Sequence, residues 1–441
     1  MDILLFIILI TISLILWNAV NGRLARSFYG MILLIWIIPL GISLMNPFGL
    51  NDVSDNVYLI VTSGLLSFGV GYIILNKPIR CLRITNIRNE INWLSSIKFI
   101  RITFLGCLIL LCYLAITQWR LIMLQGGMGN LKLDFFELIF DNNSGLFFIY
   151  QAIVIPLFYI SCMVFACMIL NGDFSKTMIS LFLYIFIFSF VGGKRGYFSI
   201  FLQYFIIGYL AKRFAKSTIH TKIKANTWLK ILSIGGLAFF GAAYVTTVGN
   251  NGSEFKKSDF SKAALENVEN VIVYQIGPYR ALDYALNHDY IEKYGGYTLG
   301  RSTIGGMFDY YGCGILNIIG IPIQRSRDLS MNPLQTNSII IGKGRSWNFS
   351  YTSFYYFIFD FGWPGILLFS FLFGILVRFS INLYDKTATV GSLCLMGYMF
   401  IGCALFNASR FNISLYTQPL ILICLSLSYF ELKKRPKWIS K

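Results

Sequence analysis

The sequence predicts an all-α polytopic membrane protein with about eleven transmembrane helices and one large, partly helical outer loop. Three observations carry this. Hydrophobic residues fill 56% of the 441 positions and charged residues only 13%, where a soluble protein carries about 25% charge. The mean hydropathy is +0.65, so in water the fold would expose far too much apolar surface. The apolar runs are continuous rather than alternating, which selects helices over a membrane β-barrel.

The spans fall near 3–20, 28–45, 57–75, 99–119, 146–170, 177–191, 197–211, 228–248, 354–378, 388–406 and 413–430. No basic residue precedes the first apolar run, so it reads as a retained helix rather than a cleaved signal peptide. Eight of the nine cysteines lie in or beside apolar segments, and only Cys313 lies in the long loop. That placement suits small buried side chains better than a disulfide framework. The only histidines are His220 and His288. No group of Cys, His or acidic residues has metal-ligand spacing, so no metal or other cofactor is expected.

The net charge of +17 is placed by topology. Arg23 and Arg26 follow the first span; Lys77, Arg80, Arg83, Arg88 and Lys98 follow the third; Lys212, Arg213, Lys216, Lys222 and Lys224 follow the seventh. Lys433, Lys434, Arg435, Lys437 and Lys441 form the tail. With eleven spans these all fall on one side, which the positive-inside rule makes cytoplasmic. The N-terminus is then outside and the C-terminus inside. The basic residues imply affinity for anionic lipid headgroups, not for nucleic acid.

The division is 1–248 as an N-terminal membrane bundle, 249–353 as the outer loop, and 354–441 as C-terminal helices with a basic tail. The outer loop holds ten Lys/Arg and nine Asp/Glu, a balanced charge. A helical pattern runs from Ser261 to about Tyr290, with Leu265, Val268, Ile272 and Ile276 on one face. A structureless loop this long is rare in a compact protein, so a folded cap is expected.

Three features point to chemistry. Gly192-Gly193-Lys194-Arg195-Gly196 separates two apolar runs of about 14 residues, each about 21 Å long against a core of about 30 Å. Their helices must therefore extend into the glycine turn. Lys194 and Arg195 then sit at the outer surface, either binding a lipid-borne phosphate or snorkelling to headgroups. The second feature is the loop arginines, in Tyr279-Arg280, Gly300-Arg301 and Gly342-Lys343-Gly344-Arg345, each with Gly or Tyr nearby. Arginine bonds phosphate oxygens bidentately, and glycine lets a backbone approach a ligand. With Tyr297, Tyr310, Tyr311, Trp347 and Tyr351 they describe a cationic, aromatic surface that fits sugar rings or an interfacial belt. The third is Asp360, an ionisable residue entering an apolar segment before Gly362-Trp363-Pro364-Gly365. It is either functional or a cap for the helix starting near Pro364. Arg410 adds a cation in the last outer loop.

At these positions the sequence resembles the Wzy-type O-antigen polymerases, which join lipid-linked oligosaccharide repeat units. The residues are Gly193-Lys194-Arg195-Gly196, Tyr297-Thr298-Leu299-Gly300, and Asn348 to Thr352 leading to Asp360-Phe361-Gly362. The resemblance implies about twelve spans, a fold like the GT-C glycosyltransferases, and a bacterial inner-membrane location with the large loop periplasmic. It implies metal-independent transfer of a glycan from undecaprenyl diphosphate to the non-reducing-end sugar of another repeat unit. A chain-length regulator in the membrane is the implied protein partner.

The chemistry matches that resemblance. The departing diphosphate gains negative charge, and a cation placed there is worth about 3–4 kcal/mol. Lys194, Arg195, Arg280, Arg301, Arg345 and Arg410 are the candidates. The acceptor hydroxyl loses a proton, for which Asp309, His288 and Asp360 are unranked candidate bases. An O-antigen ligase that moves glycan to lipid A-core shares this donor chemistry. A flippase or transporter fits less well, because the spans are nearly free of charge.

Overall fold

The computed structural model describes residues 2–76, 87–124, 149–172, 175–192, 196–215, 257–293, 295–303, 338–347, 352–404 and 418–434, with isolated residues at 146, 316 and 319–321. The chain is mostly helical. The helices are α1 (Asp2–Ala19), α2 (Arg23–Met45), α3 (Asp55–Ile74), α4 (Ile87–Ser96), α5 (Lys98–Leu124), α6 (Ile155–Leu170), α7 (Lys176–Gly192), α8 (Gly196–Phe214), α9 (Lys257–Asn287), α10 (Tyr290–Lys293), α11 (Ser353–Thr387), α12 (Val390–Ala404) and α13 (Gln418–Lys434). Every expected span falls on one of these except 228–248, which lies outside the described residues. Among the described residues, five helices are long and apolar enough to cross a membrane: Arg23–Met45, Asp55–Ile74, Lys98–Arg120, Ala152–Leu170 and Ser353–Thr387. Shorter apolar helices occupy Ile3–Ala19, Lys176–Ser189 and Val390–Ile401.

α5 shows the solvent these helices are built for. Phe99, Ile102, Leu105, Ile109, Tyr113 and Ile116 are exposed, while Cys107, Leu111 and Leu114 are buried. Both sets recur at helical spacing, so this helix is apolar on its outer face as well as its inner one. A helix hydrophobic all round belongs in a large core or in lipid.

The chain forms two compact units. The first comprises residues 1–80, 270–383 and 398–418. Residues of the long loop from Asn270 onward thus share a unit with α1–α3. α3 and α11 meet through glycines: a Cβ on Gly71 would collide with the Phe371 carbonyl, and one on Gly374 with the Phe68 carbonyl. Small residues let helix backbones approach closely where no apolar driving force separates protein from lipid. Substituting Gly71 or Gly374 by valine should therefore destabilise the protein by about 1–3 kcal/mol or more. Thermal unfolding of the purified variants in detergent measures this, and an unshifted midpoint would contradict the packing.

At one end of this unit Arg378 of α11 lies buried. Its Nη2 donates to the Asn21 carbonyl (2.8 Å) and to Asn76 Oδ1 (3.2 Å), and its guanidinium lies 5.5 Å from the Tyr72 ring centre. Asn76 Nδ2 also bonds the Ala19 carbonyl at 2.6 Å. These bonds tie the ends of α1 and α3 to α11.

The second unit comprises residues 81–269, 384–397 and 419–441. Here the loop after α3, read from sequence only as basic, contains α4. Ile91 and Leu94 bury one face of it, an i, i+3 signal that is brief beside the charge around it. α7 runs through Gly192 and α8 begins at Gly196. Lys194 and Arg195 lie outside the described residues. A π-turn, Tyr150–Val154, precedes Pro156. Tyr184 Oη donates to the Val154 carbonyl at 3.0 Å, and Phe158 stacks on Phe188 at 4.2 Å.

Candidate functional site

The described candidate residues lie in the first unit, all but His288 around two loops. The first loop joins α2 to α3. Asn46 caps α2 in the left-handed region (φ 44), a conformation its short amide tolerates. Its side chain then closes the loop: Oδ1 accepts from the Leu50 N–H (2.9 Å), and Nδ2 donates to the Leu50 carbonyl (2.7 Å).

Arg280 of α9 reaches into this cap. Its side chain is 3% exposed. Nη1 donates to Ser43 Oγ and to the Ile276 carbonyl, both at 3.1 Å, and Nη2 donates to Asn46 Oδ1 at 3.2 Å. Nε is buried without a hydrogen-bond partner. All three acceptors are neutral. Burial pulls the Arg280 pKa down from its ordinary value, while Tyr58, Asp52 and Asp283 act in the opposite sense. An arginine keeps its charge through such a shift. Asp283, one turn further along α9, is engaged elsewhere: it accepts from the Ser54 hydroxyl and backbone N–H at the start of α3. The result is a buried cation whose local hydrogen bonds do not neutralise it.

The hairpin β1 (Ile339–Ile340) and β2 (Ser346–Trp347) docks on the same loop. The Asn51 N–H donates to the Ile341 carbonyl at 2.8 Å, and Asn51 Nδ2 to the Ile340 carbonyl at 3.0 Å. Trp347 is buried against α9, its ring 2.8 Å from where a Gly277 Cβ would stand and 5.4 Å from the Tyr274 ring centre. That packing face is closed to a sugar, so Trp347 anchors the hairpin rather than presenting a stacking platform. Arg345 is half-buried at the turn.

The second loop is Tyr297–Thr303, and it latches onto a break in α11. Phe361 (φ -145) and Gly362 (φ 63) are non-helical and split α11 ahead of Pro364. The break frees backbone carbonyls. The Thr298 N–H bonds the Phe359 carbonyl at 2.9 Å, and the Leu299 N–H bonds the Asp360 carbonyl at 3.2 Å. Asp360 itself is fully buried. Oδ1 accepts from Thr298 Oγ1 (2.5 Å) and the Ser302 N–H (2.8 Å); Oδ2 accepts from the Thr303 N–H (2.8 Å). The carboxylate thus caps the turn of the second loop, not the helix at Pro364. Two stretches that carry the sequence resemblance, Tyr297–Gly300 and Asp360–Gly362, form one joint. Tyr297 is 57% exposed there, with its hydroxyl 3.1 Å from where a Gly362 Cβ would stand. Arg301 lies half-buried in the same turn.

His288 is exposed at the end of α9, its ring stacked 3.8 Å from that of Tyr284. Nδ1 donates to the Tyr284 carbonyl at 2.8 Å, which leaves Nε2 as the basic nitrogen. Asp309, Tyr310, Tyr311, Tyr351, Arg410, Lys194 and Arg195 lie outside the described residues. Ser43, Asn46 and Thr298 were not among the sequence candidates. The Asn46-Pro47 pair after an apolar run is a helix-stop signal, but nothing in it indicates an arginine partner.

Comparison with protein-family models, with curated proteins and with solved structures finds no match.

Proposed function

We propose that the chain is a metal-independent glycosyltransferase that polymerises lipid-linked oligosaccharide repeat units. The donor is a glycan on undecaprenyl diphosphate, and the acceptor is the non-reducing-end sugar of a second lipid-linked unit. The bilayer holds both lipids, and a chain-length regulator is the candidate protein partner. The cell location is a bacterial inner membrane, with 249–353 on the periplasmic side.

The observation that carries this reading is Arg280: a buried guanidinium with neutral partners and a spare Nε, at the end of α2 where an apolar helix meets a polar loop. A leaving diphosphate needs fixed positive charge where its own charge develops, and a dry, preorganised cation provides it without reorganisation. Arg345 borders the same loop. Arg301 borders the Asp360 joint; Lys194, Arg195 and Arg410, candidates by sequence, lie outside the described residues. Exposed Tyr297 offers a ring to sugar, with Tyr310, Tyr311 and Tyr351. His288, through Nε2, is a described candidate for the acceptor base; Asp309, a candidate by sequence, lies outside the described residues. Asp360 is fully buried and already accepts three hydrogen bonds from the second loop, so it serves better as a structural element.

Reconstitution tests the reading. Purified protein in proteoliposomes, given lipid-diphosphate repeat units, should produce a ladder of longer glycans. Transfer to lipid A-core without a ladder would make it a ligase. Movement of intact lipid-linked substrate without bond formation would make it a flippase.

A further inference from the structure

The hairpin tip is a strained turn with a lysine at its centre. Lys343 (φ 48) and Gly344 (φ 69) are the central residues, and the Arg345 N–H bonds the Gly342 carbonyl at 2.9 Å. This is type I′ geometry, which favours Asn, Asp or Gly at the position Lys343 fills. A lysine held in the left-handed region needs a surrounding structure that over-determines it, and such positions concentrate at ligand sites.

The surroundings supply that constraint. Asn51 holds both Ile340 and Ile341. Gly342 (φ 121) packs so closely that a Cβ would come within 2.6 Å of Leu50 Cα. The Lys343 stem crosses Gly49, with Cε 2.7 Å and Nζ 3.1 Å from where a Gly49 Cβ would stand. The Gly49 N–H bonds the Asn46 carbonyl at 3.1 Å, and Asn46 is the residue that holds Arg280. Two cations therefore share one short turn, Asn46–Gly49. Arg280 is buried on it, and Lys343 is exposed over it. Among the described residues Lys343 has no ion pair or hydrogen bond.

We infer that Lys343 is the solvent-side phosphate contact of this site and grips an isoprenoid diphosphate whose charge Arg280 supports from within. The inference rests on the donor chemistry proposed above. Lysine suits the outer position because its ammonium is a compact charge with three donors that can follow a flexible phosphate. Gly49 serves it by leaving the stem a track.

Phosphate oxygens could also come from phospholipid headgroups or from free pyrophosphate, so the test separates them. Wild type, Lys343→Gln, Lys343→Arg and Gly49→Val are placed in phosphatidylcholine nanodiscs. Each is titrated with farnesyl diphosphate, with inorganic pyrophosphate, and with phosphatidylglycerol added to the disc. The expected result is farnesyl diphosphate binding that weakens about tenfold or more in Lys343→Gln and largely returns in Lys343→Arg, with unchanged melting temperatures, since a charge-assisted contact is lost and restored. Gly49→Val should weaken it too. Equal farnesyl diphosphate affinity in wild type and Lys343→Gln overturns the assignment to Lys343 and leaves the donor reading standing. A Lys343 effect confined to phosphatidylglycerol or to pyrophosphate also overturns it. Wild type that binds no farnesyl diphosphate removes the donor reading and this inference together.

Discussion

Arg280→Lys is expected to lower chain extension by about 10²–10³-fold per folded molecule, the scale of losing one preorganised charge-stabilising donor, about 3–4 kcal/mol. The substitution keeps a positive charge, so a purely Coulombic role would survive it. What it removes is geometry. The guanidinium meets Ser43 Oγ, the Ile276 carbonyl and Asn46 Oδ1 at 3.1–3.2 Å with its two terminal nitrogens, and still keeps Nε in hand. An ammonium has one nitrogen and cannot satisfy that fork.

Stability must be separated from catalysis in this test. Hydrogen bonds to a charged group contribute about 1.5–3 kcal/mol each, so Arg280→Lys will also unfold at lower temperature. The measurement is therefore the initial rate of ladder formation normalised to the folded fraction, beside a thermal melt of the same sample. If the rate falls only as far as the folded fraction falls, Arg280 is a brace for Asn46 and nothing more. Asn46→Ala gives the complementary result. It frees the arginine from its cap and opens the turn beneath Lys343, so it should reduce both stability and rate.

The helices were legible because their signal is local and redundant. A continuous apolar run announces itself wherever it packs, and α2, α3, α5 and α11 each begin within a few residues of the expected span, though α11 runs on to Thr387. The start of α9 was less legible, since Ser261 lacks a capping partner and the helix begins at Lys257. α4 was missed because a short amphipathic pattern is weak beside a run of basic residues. The joint between Thr298 and Asp360 could not be read at all. Its two halves lie about sixty residues apart, and nothing in either names the other. Each half was recognisable as unusual: a Tyr-Thr-Leu-Gly turn, and an acid ahead of a Gly-Pro break. Long-range pairing is a property of packing, not of pattern. Arg280 was a candidate for its residue type, but its burial depends on Ser43 and Asn46, more than two hundred residues earlier.

Asp360 yields the second large effect, and its two substitutions distinguish a latch from a base. Asp360→Ala leaves the Ser302 and Thr303 N–H groups without an acceptor in a buried site, while the Thr298 hydroxyl keeps the Phe359 carbonyl and the Ser302 hydroxyl as partners. An orphaned buried donor costs about 1–3 kcal/mol, so the loss should be about 2 kcal/mol or more. The carbonyls at the helix break would lose Thr298 and Leu299 as the loop moves away. Asp360→Asn is the sharper test, because it changes one atom in kind and almost nothing in size. One carboxylate oxygen becomes an amide NH₂ that must face a donor: either Thr298 and Ser302, or Thr303. A donor facing a donor is repulsive, so the asparagine variant should also melt well below wild type. A general base behaves differently, since its asparagine variant loses rate while the fold stays intact. Melting curves and ladder rates for Asp360→Asn and Thr298→Val, measured together, decide between them. A latch predicts that rate and melting temperature fall in step, with Thr298→Val the milder of the two because it removes one donor and leaves the two backbone N–H bonds to Asp360.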